Sequence, residues 1–308
     1  MKKIIKQLAT PVNLSLYGDV FRRVLILAAA LLTFEVQAGE YGYYMEDAKQ
    51  SCVWLYKLNN WDNPNEQARI YYCQLDSAIT TKRLDVPGKV YCVDTNSNQR
   101  IYHDVIGIEH IDNWSTHTVY PVDFNSVKTF IMPDSLQYID TGYYYVTDIS
   151  SLRGWRGLET IKLGSSFRRF WNGRDSAYYS YEVTIGIAGS MLFSGCRNLT
   201  CFTVGSGNDE LESYCGMLYS KASGKEGITI LLLCPPGTFG GVTIKGDTKR
   251  VGHYAFHRCY GLSHVTFPNT LEEIGQNAFA WCTNLTTIVL SDRLRLIDNG
   301  AFQGCVKI

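Results

Sequence analysis

The fold is decided by the segment Ile274-Gly275-Gln276-Asn277-Ala278-Phe279-Ala280-Trp281-Cys282-Thr283-Asn284-Leu285-Thr286-Thr287-Ile288-Val289-Leu290. Its alanine, phenylalanine and cysteine positions recur at a spacing of 23 residues in both directions. They appear as Ala255-Phe256 with Cys259 and as Ala301-Phe302 with Cys305. Apolar positions repeat at the same spacing; they are Leu262, Val265, Phe267, Leu271 and Ile274, followed by Leu285, Ile288, Leu290, Leu294 and Ile297. A fixed period of about 20 to 50 residues is the signature of a repeat architecture.

Each repeat contains a Leu-x-x-Ile-x-Leu string that predicts a short strand. The last two apolar residues are two apart, so they share one face of the strand and the residue between them faces outward. Pro268 or Ser291 ends this strand, and a second extended piece follows. One such coil cannot bury its own apolar edge, so it is stable only when stacked on neighbouring coils. The sequence therefore predicts a β-rich solenoid with short helical turns.

The same pattern continues toward the N-terminus with variable spacers. One diverged unit lies a single period before the regular coils, and its apolar positions are Phe239, Val242, Ile244 and Val251. In this unit Thr248 occupies a position that is apolar in the other coils. Earlier units begin at Leu199, Leu158 and Val127. We therefore expect the array to cover residues 121–308, with a hairpin insertion near 205–240.

The regular units resemble the BspA-like, or Treponema-type, leucine-rich repeat, through Ile274-Gly275, Ala278-Phe279, Cys282, Leu285 and the strand that follows. A second resemblance lies in Gly216-Met217-Leu218-Tyr219-Ser220 with Pro235-Pro236-Gly237, which is similar to a hairpin coil of that family. The resemblance implies a leucine-rich-repeat solenoid. It also implies a secreted or cell-surface protein of a bacterium or protist, in a family where some members have adhesive roles.

Residues 1–38 predict a signal peptide. Arg22-Arg23 precede the apolar run from Val24 to Leu32, and Val36-Gln37-Ala38 supply small residues before Gly39. A charged region, a short apolar run and a small-residue site are typical of a cleaved signal. We expect export, a mature chain that begins at Gly39, and no transmembrane helix in it. An uncleaved anchor and an ordinary core helix are the alternatives, since the region ahead of the arginines is long.

Residues 39–120 predict an irregular N-terminal β cap. Gln67 to Leu75, Leu84 to Val93 and Ile101 to Ile108 are strand-like runs rich in Tyr, Val and Ile. A cap is needed because the first coil would otherwise expose an open edge. An enzyme with its site in this segment is the alternative.

The charge balance argues against a nucleic-acid partner. The net charge is zero, and the segment 1–38 holds five Lys or Arg and two Asp or Glu, which leaves 24 basic and 27 acidic side chains beyond it. Binding to nucleic acid requires a clustered basic face.

We expect no catalytic, cofactor or metal site. His253, His257, Cys259 and His264 are close in sequence, but the histidines fall where the repeat pattern is permissive. Asp94-Thr95-Asn96-Ser97-Asn98 begins like a calcium loop, yet Gln99 stands where the sharp turn needs glycine.

The repeat-bound cysteines predict a ladder of buried thiols, with zinc ligation or disulfides along it as the alternative. This set is Cys196, Cys259, Cys282 and Cys305. Six others follow no repeat, and one or two disulfides among them are expected in an oxidising compartment; they are Cys52, Cys73, Cys92, Cys201, Cys215 and Cys234.

The residues that face outward between the apolar strand positions form the candidate binding face. They are Lys162, Thr203, Thr243, Thr266 and Val289, with Thr287 in the preceding position of its strand. Solenoids use such continuous faces for recognition, although Thr and Val also simply suit an exposed strand. We expect a protein or glycan ligand on host or neighbouring cells. A structural envelope component is the alternative.

The last coil predicts an open edge. Cys305-Val306-Lys307-Ile308 starts a new coil without its strand, so the strand from Leu285 to Leu290 has no following neighbour. An exposed strand edge is a template for pairing with another chain. We expect this end to fray or to be covered by a partner, a second copy or further chain, with self-association as one outcome.

Overall fold

The computed structural model describes residues 42–47, 52–58, 65–75, 82–93, 97, 99–108, 126–140, 155–171, 181–224 and 227–308. The predicted signal peptide lies outside these residues, as does most of the segment 94–98 that begins like a calcium loop.

Short strands dominate the described residues, which contain a single helix, α1. In chain order the elements are β1 (Gly42–Asp47), β2 (Cys52–Lys57), β3 (Ala68–Leu75), β4 (Arg83–Asp85), β5 (Lys89–Val93), β6 (Arg100–Ile108), β7 (Thr129–Ile131), β8 (Tyr138–Asp140), β9 (Thr160–Leu163), β10 (Arg169–Trp171), α1 (Tyr181–Leu192), β11 (Cys201–Val204), β12 (Leu211–Tyr214), β13 (Met217–Ser220), β14 (Ile230–Leu233), β15 (Gly240–Thr243), β16 (Arg250–Val251), β17 (Leu262–Thr266), β18 (Glu273–Ile274), β19 (Thr287–Val289) and β20 (Leu296–Ile297). The predicted β-rich repeat fold with short turns is confirmed.

The N-terminal strands are continuous with the repeats. A seven-stranded sheet has the order β1-β2-β3-β6-β8-β10, and β5 forms an antiparallel hairpin with β6. Strand β4 pairs in parallel with β7, so the parallel ladder begins upstream of residue 121. The run from Leu84 to Val93, expected as one strand, is divided between β4 and β5, which have different partners. The division of the chain at 120/121 stays a prediction.

The repeats form two kinds of parallel ladder, one for each strand of the coil. The first strands build the sheets β4-β7-β9-β11 and β15-β17-β19, and the later strands β16, β18 and β20 extend a six-stranded sheet from β14. In that six-stranded sheet, β12, β13 and β14 are antiparallel neighbours and β14 pairs with β16 in parallel. The antiparallel part therefore lies in the segment where the spacing of the repeats is irregular.

The core of the regular coils contains a stack of phenylalanines, one from each coil. Phe256, Phe279 and Phe302 lie face to face, with ring centroids 4.6 and 5.2 Å apart and interplanar angles of 11° and 9°. Each ring fills the space beside the ring of the next coil, because adjacent parallel strands are about 4.8 Å apart. The constant period of the sequence therefore produces one continuous apolar column.

Phe239 departs from the sequence pattern, which placed it in the slot of Leu262. The register shifts between Gly240 and Gly241, so that Gly240 lies opposite Leu262, and the Phe239 side chain is 87% exposed. Gly240 has a φ of +78°, which favours glycine. The prediction that Phe239 fills the slot of Leu262 was wrong, because the bulge shifts the strand register by one residue at this point.

Candidate binding face

The exposed rows of the downstream ladder lie in register. Thr243 pairs with Thr266, which pairs with Val289. Two residues earlier in the same strands, His264 pairs with Thr287. Thr243, Thr266 and Thr287 are exposed, and the Val289 side chain is 72% exposed. The alternate residue Val265 is buried. Period-two alternation therefore places the predicted residues on the outer side, as the sequence indicated.

The upstream ladder carries the other two predicted residues. Lys162 pairs with Thr203 on one side and with Ile131 on the other. Lys162 is exposed, whereas Thr203 is half-buried. Lys162 and Thr203 therefore belong to a different sheet from Thr243, Thr266, Thr287 and Val289. The structure brings the six residues together as two groups.

A hairpin tip lies between the two groups. The Phe202 amide donates to the Gly216 carbonyl over 2.8 Å, on the edge of β11 that β9 does not occupy. Cys215 and Gly216 have φ values of +49° and +77°, as in the two-residue turns that suit hairpins. A Cβ atom at Gly216 would lie 2.7 Å from the Thr200 carbonyl oxygen. Only glycine therefore allows the tip this close to β11.

Two aromatic rings on the downstream ladder lie against glycines of the neighbouring coil. The Phe239 ring covers Gly261, where an added Cβ would be 3.2 Å from Phe239 Cδ2. The His264 ring covers Gly241, where an added Cβ would be 1.9 Å from Nε2. These rings were not among the predicted residues, although the Gly240-Gly241 pair after Phe239 is a signal for a bulge. They add an apolar and an imidazole surface beside the threonines.

The three histidines considered as metal ligands have separate surroundings. His253 Nδ1 accepts a hydrogen bond from the Gln276 amide over 2.9 Å, and His264 lies on the outer face. Burial, with a smaller effect of the Arg258 charge, lowers the pKa of His257 to about 4. The described residues contain no group of three His, Cys, Asp or Glu side chains placed to hold a metal ion.

The repeat-bound cysteines are buried thiols in the core. Cys196, Cys259 and Cys282 are fully buried, and Cys305 is half-buried. Burial raises the pKa of Cys196 to about 12 and raises the pKa of Cys282 as well. These side chains therefore act as small apolar groups with a weak donor.

The described part of residues 39–120 consists of strands β1 to β6. Its buried His103 has Nδ1 3.0 Å from the Glu66 carbonyl oxygen, within hydrogen-bonding distance. That imidazole is therefore held by the main chain. Among the described residues, no helix has the length and apolar composition needed to cross a membrane.

The last described coil exposes apolar side chains. Val289, Leu290, Leu296, Ile297, Val306 and Ile308 are all exposed. Strands β19 and β20 each have a paired neighbour on one side in their sheets. Self-association through this edge stays a prediction.

No curated protein gives a significant match to the chain. The solved structures that are similar include a leucine-rich cell surface protein of Faecalibacterium prausnitzii, at 16% identity and a TM-score of 0.35, over 88% of this chain and 82% of that one. The pneumococcal vaccine antigen PcpA is also similar, at 16% identity and a TM-score of 0.35, over 87% of this chain and 75% of that one.

The family assignment comes from the repeats themselves. The model of the BspA type leucine-rich repeat region matches residues 122–221 and 238–308, with six copies. These ranges contain the parallel strands from β7 onward, apart from β14, and the stacked phenylalanines. The chain therefore belongs to the BspA-type leucine-rich-repeat family, as its sequence predicted.

Proposed function

We propose that the chain is an exported, non-catalytic protein that binds a protein or glycan ligand of host or neighbouring cells through its candidate binding face. Membership of the leucine-rich-repeat family indicates a protein-interaction or surface module, and such proteins are typically non-catalytic. One observation carries the proposal: Thr243, Thr266 and Val289 form an exposed row in register across three parallel strands. A rigid row of this kind presents hydroxyl and methyl groups at fixed spacing.

Phe239 supports the downstream ladder as the centre of the face. Its side chain is almost fully exposed to solvent, and the ring packs against Gly261 beside the threonine row. Aromatic side chains are enriched among the residues that dominate binding energy at interfaces. The outer rows of this ladder carry no carboxylate, since they consist of Gly241, Thr243, His264, Thr266, Thr287 and Val289. The ligand surface that fits here is therefore largely uncharged.

The test is a binding screen with two matched variants. Residues 39–308 are assayed against panels of matrix proteins and glycans, first as wild type and then with Thr266→Arg or Gln276→Arg. Both changes add one positive charge at an exposed site, but Gln276 lies in the turn after β18, away from the exposed rows. We expect Thr266→Arg to weaken binding at least about tenfold, or about 1.4 kcal/mol, and Gln276→Arg to leave it unchanged.

Two results would count against this function. If Thr266→Arg and Gln276→Arg changed the affinity equally, the ligand would not bind at the candidate binding face. Failure of every matrix protein and glycan to bind the wild type would favour the structural envelope component instead.

Export rests on residues 1–38. The arginines, the short apolar run and the small residues before Gly39 are the features that a signal peptidase substrate requires. N-terminal sequencing of the exported protein is expected to begin at Gly39. A product that keeps the run from Leu25 to Leu32 would contradict cleavage at this site.

A further inference from the structure

The thiols of successive coils occupy a repeated hydrogen-bonding position. Cys282 Sγ donates to the Phe256 carbonyl over 3.0 Å, and Cys305 Sγ donates to the Phe279 carbonyl over 3.0 Å. In both coils the acceptor belongs to the stacked phenylalanine of the preceding coil. These two thiols are therefore each satisfied by a main-chain oxygen.

Cys259 differs, because the coil before it has no phenylalanine in that place. The preceding coil supplies Cys234-Pro235 instead, and the Cys234 amide donates to the Ala255 carbonyl over 2.7 Å. Cys259 Sγ then reaches the Pro235 carbonyl only over 3.7 Å. Cys234 Sγ lies 3.7 Å from the same oxygen. Cys234 Sγ also lies 3.3 Å from Thr238 Oγ1, so the two thiols of adjacent coils share only the Pro235 oxygen as a weak acceptor.

The two thiols lie in an environment closed to solvent. Both side chains are buried in the core of the regular coils. A hydrogen bond with the Cys234 thiol, followed by burial, raises the pKa of Cys259 well above its usual range. Folded thiols of this kind are poor nucleophiles, since the thiolate is the reactive form. Any reaction between them therefore belongs to folding, before the coils close over the pair.

We propose that Cys234 and Cys259 form a disulfide bond when the chain folds in the presence of a small disulfide oxidant such as glutathione disulfide. One cysteine thiolate attacks the oxidant and releases one glutathione thiolate, which leaves a mixed disulfide on the chain. The other cysteine thiolate attacks the chain sulfur of that mixed disulfide and releases the second glutathione. The pair loses two protons and two electrons, and the oxidant takes them up as two thiols.

The bond would link the coil that carries the hairpin to the first regular coil. Cys234 directly follows β14, and Cys259 lies between β16 and β17. The closed loop contains the bulge at Gly240 and Gly241 and the exposed Phe239. Cross-linking a loop lowers the conformational freedom of the unfolded chain. The oxidised protein is therefore expected to melt at a higher temperature than the reduced protein.

The test is refolding followed by mapping of the thiols. The reduced, unfolded protein is refolded with a mixture of reduced and oxidised glutathione, denatured without reductant, alkylated and digested with trypsin. No Lys or Arg lies between Cys259 and Cys282, so one tryptic peptide contains both. Cys282→Ser is therefore the matched control, because it removes a neighbouring thiol of the same column and leaves the proposed pair intact.

We expect the peptide with Cys234 to be linked to the peptide with Cys259 in both the wild type and Cys282→Ser, and unlinked in Cys234→Ser. Complete alkylation of Cys234 in the refolded wild type would overturn the proposal. So would a linkage that disappears in Cys282→Ser, which would assign the bond to Cys282. The wild type and Cys282→Ser decide the question even if Cys234→Ser fails to fold. The measurement involves no ligand and no export, so its outcome is independent of the proposed function.

Discussion

Single residues show how strictly the repeat dictates chemistry inside the core. Thr248 occupies the slot that holds Leu271 and Leu294 in the next two coils, and it is fully buried there. Its Oγ1 has no hydrogen-bond partner among the described residues. The geometry of the coil therefore buries whatever residue stands at this position, including a polar one. His257 is half-buried, and its ring lies 5.5 Å from the ring of Tyr254.

Replacing Thr248 by valine is expected to stabilise the protein. The substitution keeps the shape and removes a buried hydroxyl, which costs about 1–3 kcal/mol when it has no partner. We expect Thr248→Val to raise the free energy of unfolding by about 1 kcal/mol, measured by denaturant titration. Thr266→Val on the exposed row is the control and should change it by less than about 0.5 kcal/mol. A lower midpoint for Thr248→Val would contradict this account.

His257 is expected to make the fold sensitive to mild acid. Its pKa is about 4 in the folded protein, below the ordinary value of 6.5, because burial disfavours the charged ring. The unfolded chain then binds the proton more tightly, so stability is full above pH 6.5 and falls as the pH drops toward 4. A pKa difference of one between the folded and the unfolded protein corresponds to about 1.4 kcal/mol, which sets an upper limit of about 3.5 kcal/mol on the loss of stability.

The measurement is the free energy of unfolding at several pH values across this window. His257→Phe keeps an aromatic ring beside Tyr254 and removes the titrating group, so the decline of stability should become shallower. His264→Asn removes an exposed imidazole and should leave the decline as it is. Parallel curves for wild type and His257→Phe would show that another group causes the acid effect.

At the scale of elements, helix α1 shows how one coil accommodates a longer connection. The helix stands before the buried Phe193 and Cys196, where the regular coils have a short turn. It approaches the later coils closely through glycines on one face. A Cβ at Gly186 would lie 1.9 Å from the His253 carbonyl oxygen, and one at Gly189 would lie 2.7 Å from Leu233 Cδ2. The helix therefore packs backbone against backbone at Gly186.

Gly186→Ala is expected to destabilise the protein, although alanine is the better helix former by about 1 kcal/mol. The clash is with a main-chain oxygen that cannot turn away, so we expect a net loss of about 2 kcal/mol or more in the free energy of unfolding. Gly246→Ala is the control, because nothing lies within 4 Å of its added Cβ. A thermal melt of both variants gives the answer, and equal melting temperatures would show that α1 does not pack as described.

At the scale of the whole molecule, the two ladders and the stacked core join all the regular coils into one column, and the exposed edge lies at its end. Charged pairs run along the side of this column, since Glu272 contacts both Lys249 and Arg295 in the coils on either side. Exposed ion pairs add little to stability, so the apolar stack provides most of the cohesion. The final coil lacks a neighbour for that stack within the described residues.

A polypeptide of residues 39–308 exposes the outer edge of β20, and we expect it to self-associate increasingly as its concentration rises. Leu296 and Ile297 of β20 are each nearly half exposed, and an exposed apolar strand is a template for pairing. The double substitution Leu296→Lys with Ile297→Lys should reduce association, measured by sedimentation velocity over a range of concentrations. Asn269→Lys, at an exposed turn, is the charge control. A wild type that sediments as a monomer throughout would contradict the prediction.

The sequence by itself determined the features that every coil shares. Ala278-Phe279 with Cys282 and the apolar strand positions predicted the strands, the buried thiols and the outward threonines. This succeeded because each coil meets nearly the same neighbours as the coil before it. A pattern in the sequence is then also a pattern in space, and a resemblance to a repeat family carries over position by position.

Only the tertiary structure decided what happens where unlike coils meet. The hairpin tip at Gly216 divides the outer face, the bulge at Gly240 exposes Phe239, and Cys234, which lies outside the repeat pattern, shares the Pro235 carbonyl with Cys259. Helix α1 likewise depends on the space beside His253. Each of these features follows from packing between segments that are distant in sequence and different in composition. A repeating sequence pattern does not predict such contacts, because each of them occurs only once among the described residues.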